Sequence, residues 1–146
     1  MKQEIIDKLP PDAQKEFLKL AMKLNEKTKQ SKVHDSFLDF VKHVWPEFIE
    51  GKHHKRIADK FNKLAQGKIK RLIINMPPRH TKSEFASFLL PSWMVGRKPD
   101  LKIIQTTHTT ELAIRFGRKA KTLIDSPEYQ EVFKTRLRED SQAAGK

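Results

Sequence analysis

Apolar side chains recur every three or four positions over most of this chain, and in two short stretches they run together instead. From Pro11 to about Lys29, Phe17, Leu18, Ala21, Met22 and Leu24 fall at helical spacing among lysines and glutamates, which predicts an amphipathic helix after a Pro-Pro start. Residues 25–34 are polar and lose that period, so a hinge is expected there. Ser36 and Asp39 suit a first helical turn, and Phe37, Phe40, Val41, Val44 and Trp45 share one face before Pro46 stops the helix. Ile57, Ala58, Phe61, Leu64 and Ala65 define another helix, closed by Gly67.

The period changes at Arg71, where Leu72, Ile73 and Ile74 form a continuous apolar run, as a strand buried on both faces does. Leu101, Ile103 and Ile104 form a second, weaker run. Between them Lys82 to Val95 reads as helix, kinked or divided at Pro91 because proline lacks an amide hydrogen. Leu112, Ala113, Phe116, Ala120, Leu123 and Ile124 mark a later amphipathic helix that Thr109 or Thr110 would cap, and Ser126-Pro127-Glu128 opens one more. The order strand, helix, strand, helix predicts an α/β fold, a parallel sheet flanked by helices, preceded by an α-helical extension. The expected division is a helical N-terminal arm over residues 1–34 and a partial catalytic domain over 35–146.

Composition narrows the function. The formal charge is +12, spread over both halves of the chain, and such a field attracts polyanions. A solvated lysine-rich surface is the simpler alternative. There is no cysteine, which excludes disulfides and thiolate metal sites. No apolar run approaches the roughly 20 residues that cross a bilayer, and the first residues carry no apolar signal core, so a soluble protein is expected. The six histidines match no helical metal-binding pair and lack partner carboxylates.

Candidate chemistry concentrates in Met76-Pro77-Pro78-Arg79-His80-Thr81-Lys82-Ser83, between the first expected strand and the next helix. A phosphate-binding loop belongs at such a junction: backbone amides surround the phosphates, a lysine reaches the β- and γ-phosphates, and a hydroxyl meets magnesium. Lys82 and Ser83 match the last two positions of that motif, while Met76 and Thr81 stand where it has glycine. A rigid polar turn is the alternative. Lysine in a first helical turn opposes the helix dipole, a conflict that a bound anion relieves. The phosphate assignment requires residues 71–75 to be a strand and Lys82 to begin a helix.

The segment RLIINMPPRHTKSEFASFLLPSWMVGRKPDLKIIQTTHTTELAIRFGRKAKTLIDSPEYQEVF resembles the start of the ATPase domain of large terminase subunits, the DNA-packaging motors of tailed bacteriophages, over about Val44 to Arg138. The carrying motifs are the R-L-I-I-N segment, the variant Walker A stretch Pro77 to Ser83, the L-P-x-W segment and the S-P-E-Y segment, in that order. The resemblance implies a P-loop NTPase that binds ATP and Mg2+. In it Lys82 is the phosphate-binding lysine, Ser83 the magnesium-side hydroxyl and Arg79 a further phosphate-facing cation, with Pro78, His80 and Thr81 completing the loop. The family usually has glycine where Thr81 stands. His53 and His54 occupy the place of an adenine-recognition element, with Trp45 or Phe48 as an apolar wall, against a solvent-exposed helix start for either histidine. Arg115 or Arg118 is placed to serve as an arginine finger, against a plain surface role for each.

The resemblance further implies double-stranded DNA, a small terminase subunit and a portal protein as partners, and a homo-oligomeric ring in the full-length motor. It implies the cytoplasm of an infected bacterial host, transiently at the procapsid portal, as location. No apolar strand ending in acidic residues is present, Leu123-Ile124-Asp125 being the nearest, and no nuclease segment follows. The expectation is therefore an ATP-binding N-terminal portion, truncated before Walker B and nearly inactive alone. Two competitors remain: a fragment of a helicase-like ATPase, and a non-catalytic basic domain that binds nucleic acid or a partner protein.

Overall fold

A computed structural model describes residues 10–137; the expectations for the first nine residues and for the tail 138–146 lie outside it. Two compact units divide between Ser31 and Lys32. Helix α1 spans Pro11–Asp35. In the first unit it leaves Phe17, Leu18, Leu20, Met22 and Leu24 exposed, and the Thr28 hydroxyl donates to the Leu24 carbonyl at 2.7 Å. Helix α1 continues through residues 25–34, where a hinge was expected, and the division between the two units falls within that stretch. Losing a hydrophobic period does not end a helix; glycine or proline does, and this stretch is rich in the good helix formers lysine, glutamate and glutamine.

The second unit is built on short helices that pack through aromatic rings. Helix α2, Phe37–Val44, is capped by Ser36, whose hydroxyl accepts from the Asp39 amide, and it buries Phe37, Phe40 and Val41. Helix α3, Lys52–Ala65, buries His54, Ile57, Ala58 and Phe61. It stops just before Gly67, which takes the positive φ of 74° that ends helices cheaply only at glycine. Phe37 meets Phe61, Phe85 and Trp93 edge-on, with ring centroids 5.0, 5.4 and 5.5 Å away. Its amide donates to the Asn62 side chain at 2.9 Å, and the Trp93 indole donates to the His34 carbonyl at 3.1 Å, so these two buried donors are satisfied.

From Lys82 the chain stays helical to Arg97: α4 over Lys82–Glu84, a π-helical segment over Phe85–Leu89, and α5 over Leu90–Arg97. The expected division falls just ahead of Pro91, which stands in the first turn of α5. The wide turn, in which the Leu90 amide donates to the Phe85 carbonyl, precedes the proline ring and removes the conflict an α-turn would create. Helix α6, Thr110–Ile124, is capped by Thr109, and α7, Pro127–Val132, by Ser126. Tyr129 on α7 donates its hydroxyl to the Ser92 carbonyl at 2.8 Å.

The expected α/β fold is overturned: the described residues contain no β-strand, hence no parallel sheet and no P-loop NTPase architecture. Segments 71–76 and 101–107 lie in neither strand nor helix. A strand exists through a hydrogen-bonded neighbour, and neither segment has one among the described residues. Leu72, Ile74 and Met76 pack on the helical core while Ile73 is 86% exposed, so the run that suggested burial on both faces is buried on one. Ile104 is likewise 91% exposed. Among the described residues no helix is long and apolar enough to cross a membrane.

Candidate functional site

The loop from Met76 to Ser83 connects the irregular segment 71–76 to α4. The strand it was expected to follow is absent, whereas Lys82 does stand at the first helical position. Its amide-rich end turns through two residues with left-handed backbone, Arg79 at φ 64° and Thr81 at φ 56°. Neither is glycine, and a β-branched threonine is costly there, on the order of 1–3 kcal/mol. Left-handed residues of this kind occur in the turns whose successive amides form anion-binding nests.

Pro77, Pro78, Arg79, Thr81, Lys82, Ser83 and Glu84 line one open recess of about 460 Å³. The Lys82 ammonium donates to the Met76 carbonyl at 3.0 Å, folding the cation back over the loop. His80 closes the turn differently, donating from Nδ1 to the Pro78 carbonyl at 2.9 Å. Ser83 places its hydroxyl-bearing side chain on the lining of the same recess. No cluster of three or more His, Asp or Glu side chains among the described residues forms a metal cage.

The two histidines expected to meet an adenine ring stay in contact, ring centroids 3.8 Å apart, but differ in their hydrogen-bond partners. His54 is 6% exposed and engages both ring nitrogens. Nδ1 accepts from the Gly51 amide at 2.9 Å, so Nε2 carries the proton and donates to the Thr81 hydroxyl at 2.7 Å. That hydroxyl donates in turn to the His80 carbonyl at 2.7 Å. Burial, with His53 and His80 nearby, holds the His54 ring below the ordinary histidine value, against Glu50, which raises it.

Phe48 packs on the His54 ring at 4.8 Å and on Phe85 at 5.5 Å, which makes it support rather than a wall for a base. Trp45 lines a separate cavity of about 710 Å³ with Phe88, Arg118 and Leu123. His53 keeps a buried Nε2 with no hydrogen-bond partner among the described residues. It lines a recess of about 380 Å³ beside Asn75 and Met76, at the start of the loop. Gly51 permits this placement, since a Cβ there would sit 2.8 Å from the His53 ring.

Arg115 and Arg118 lie on α6 and line recesses other than that of the loop. Sequence reasoning missed their neighbour Lys119, which holds both carboxylate oxygens of Glu84 at 2.8 Å and thereby ties α6 to the loop-bearing helix. A pair separated by 35 positions leaves no local pattern to read. Compared with known proteins, the chain matches no family model, no curated protein and no solved structure.

Proposed function

We propose that the chain binds the phosphates of ATP in the loop 76–83 and serves as the ATP-binding portion of a DNA-packaging motor of the terminase large-subunit kind. The observation that carries the binding step is the recess shared by Lys82, Ser83, Arg79 and Thr81, the last two in left-handed backbone. A lysine at the positive end of a helix gains from an anion, and strained backbone concentrates where a ligand must be approached closely. The strand condition set for this assignment is not met, since residues 71–75 form no strand; the reading rests instead on the loop's own geometry and on the order of the motifs from Val44 onward.

In this reading Lys82 neutralises the β- and γ-phosphates, Arg79 adds a second cation, and Ser83 offers its hydroxyl to magnesium. Magnesium would supply charge neutralisation between the phosphates. His53, with its unpartnered nitrogen, is the better of the two histidines for contacting the base. Arg115 and Arg118 would act only toward the nucleotide of a neighbouring subunit in a ring. Double-stranded DNA, a small subunit and a portal protein are the partners that the motor would engage.

Calorimetric titration with a non-hydrolysable ATP analogue and magnesium tests the proposal. Lys82→Ala is expected to weaken binding about 10- to 100-fold, the worth of charge-assisted hydrogen bonds, and Lys29→Ala on α1 to leave it unchanged. Equal affinities for the two variants would refute the site. Salt-steep DNA binding with no affinity for the analogue would favour the non-catalytic basic domain instead.

A further inference from the structure

Thr81 is the residue at which this loop departs most from a glycine-based phosphate loop, and the fold supplies something that a glycine loop lacks. Its φ of 56° is ordinary for glycine and strained for a β-branched side chain. Twenty-seven positions upstream, His54 is locked by the Gly51 amide on one nitrogen and aims the other at the Thr81 hydroxyl at 2.7 Å. The hydroxyl has one proton, spent on the His80 carbonyl, so every donor in the chain Gly51 amide, His54 ring, Thr81 hydroxyl, His80 carbonyl has an acceptor in one direction. Phe48 and Phe85 pack on the ring and prevent it from turning away.

We propose that His54 is a positioning residue of the loop: through its Nε2 it holds Thr81 in left-handed backbone, and so presents the amides of residues 80–83 and the Lys82 ammonium to a phosphate group. The inference rests on the phosphate-loop reading above. Threonine replaces glycine's conformational freedom with a side-chain tether, and the tether comes from α3. A ligand that inserts between the two residues, or a ring that cannot donate from Nε2, frees the loop.

The test is amide hydrogen exchange of residues 80–83 in the free 146-residue chain, followed by calorimetry with the ATP analogue and magnesium on the same five proteins and on Lys82→Ala. His54→Phe keeps the packing and removes the donor; it is expected to speed exchange of these amides about five- to tenfold, the worth of one buried hydrogen bond. His54→Gln carries an acceptor and a donor about as far apart as the two ring nitrogens and is expected to restore slow exchange. In a Thr81→Gly background His54→Phe is expected to change exchange less than about twofold, because no tether remains to be lost. Equal acceleration in both backgrounds would show that His54 acts by packing and would overturn the proposal, as would unchanged exchange in His54→Phe. If the exchange pattern holds while none of the proteins binds the analogue, the tether stands and the ATP reading falls. If all bind it with Lys82-dependent affinity but exchange is insensitive to His54, the reverse holds.

Discussion

At the scale of single residues, the loop is held by contacts between side chains of ordinary type in unusual positions. Thr81 stands where a phosphate loop has glycine, yet its hydroxyl is the point at which α3 grips the loop. His54 looked free to meet a base, yet both nitrogens are committed to the protein. A pH dependence follows from its displaced titration. Because the folded chain holds this ring below the unfolded value of 6.5, the unfolded chain binds the proton first as pH falls. His54 therefore contributes its full share of stability above about pH 6.5 and loses it progressively as pH drops toward the folded value. The groups facing it are Glu50, His53 and His80. Thermal melts between pH 7.5 and 5 are expected to show a falling midpoint in the parent and a smaller fall in His54→Gln. Parallel curves would count against the assignment.

At the scale of elements, capping and spacing were readable and pairing was not. Ser36, Thr109 and Ser126 cap the helices their positions announced, since a cap is decided by residues three apart. The segments 71–76 and 101–107 show the opposite case. A hydrophobic run reports that side chains are covered, and it cannot say whether by sheet neighbours on both faces or by a helix layer on one. Pro91 was legible as a disturbance, though its accommodation by a π-turn depends on what Phe85 and Leu89 pack against. Gly96 marks a close contact between elements: a Cβ there would lie 2.6 Å from the Tyr129 hydroxyl and from the Phe133 ring. Gly96→Ala should therefore destabilise the second unit by about 1–3 kcal/mol, the cost of overpacking, measured by urea unfolding. An unchanged midpoint would mean that α7 is not seated on α5 as described. Ser126→Ala, by comparison, should cost about 1 kcal/mol through loss of the α7 cap alone.

At the scale of the whole molecule, charge and carboxylate placement set what the chain does by itself. The excess of +12 predicts DNA affinity that falls steeply with salt, log K against log salt having a slope of about −0.9 per phosphate neutralised. Filter binding between 50 and 200 mM salt, on the order of conditions where that slope is read, would measure it. ATP turnover is a different matter. Phosphoryl transfer needs an oriented water and an acidic anchor, and the carboxylate next to the loop, Glu84, is occupied by Lys119 on both oxygens. Purified 146-residue protein should therefore hydrolyse ATP at background rate even if it binds, because holding ground and transition states equally does not accelerate chemistry. Robust, Lys82-dependent phosphate release would sink that expectation, and Glu111, which lines the α6 recess with Arg115, would be the first alternative base.

What the sequence determined by itself is local: helix positions and caps, the stop at Gly67, the start of α4 at Lys82, the basic surface and the concentration of loop chemistry between Pro77 and Ser83. These follow from interactions spanning four residues or fewer, which a linear string displays directly. Tertiary structure alone decided that no sheet forms among the described residues, that His54 has both ring nitrogens bonded while its neighbour His53 keeps one without a partner, that Lys119 claims Glu84 and that Thr81 is tethered from 27 positions away. Each of those outcomes depends on which distant side chain arrives at a given atom, and that is settled by the packing of the aromatic core around Phe37 and Trp93.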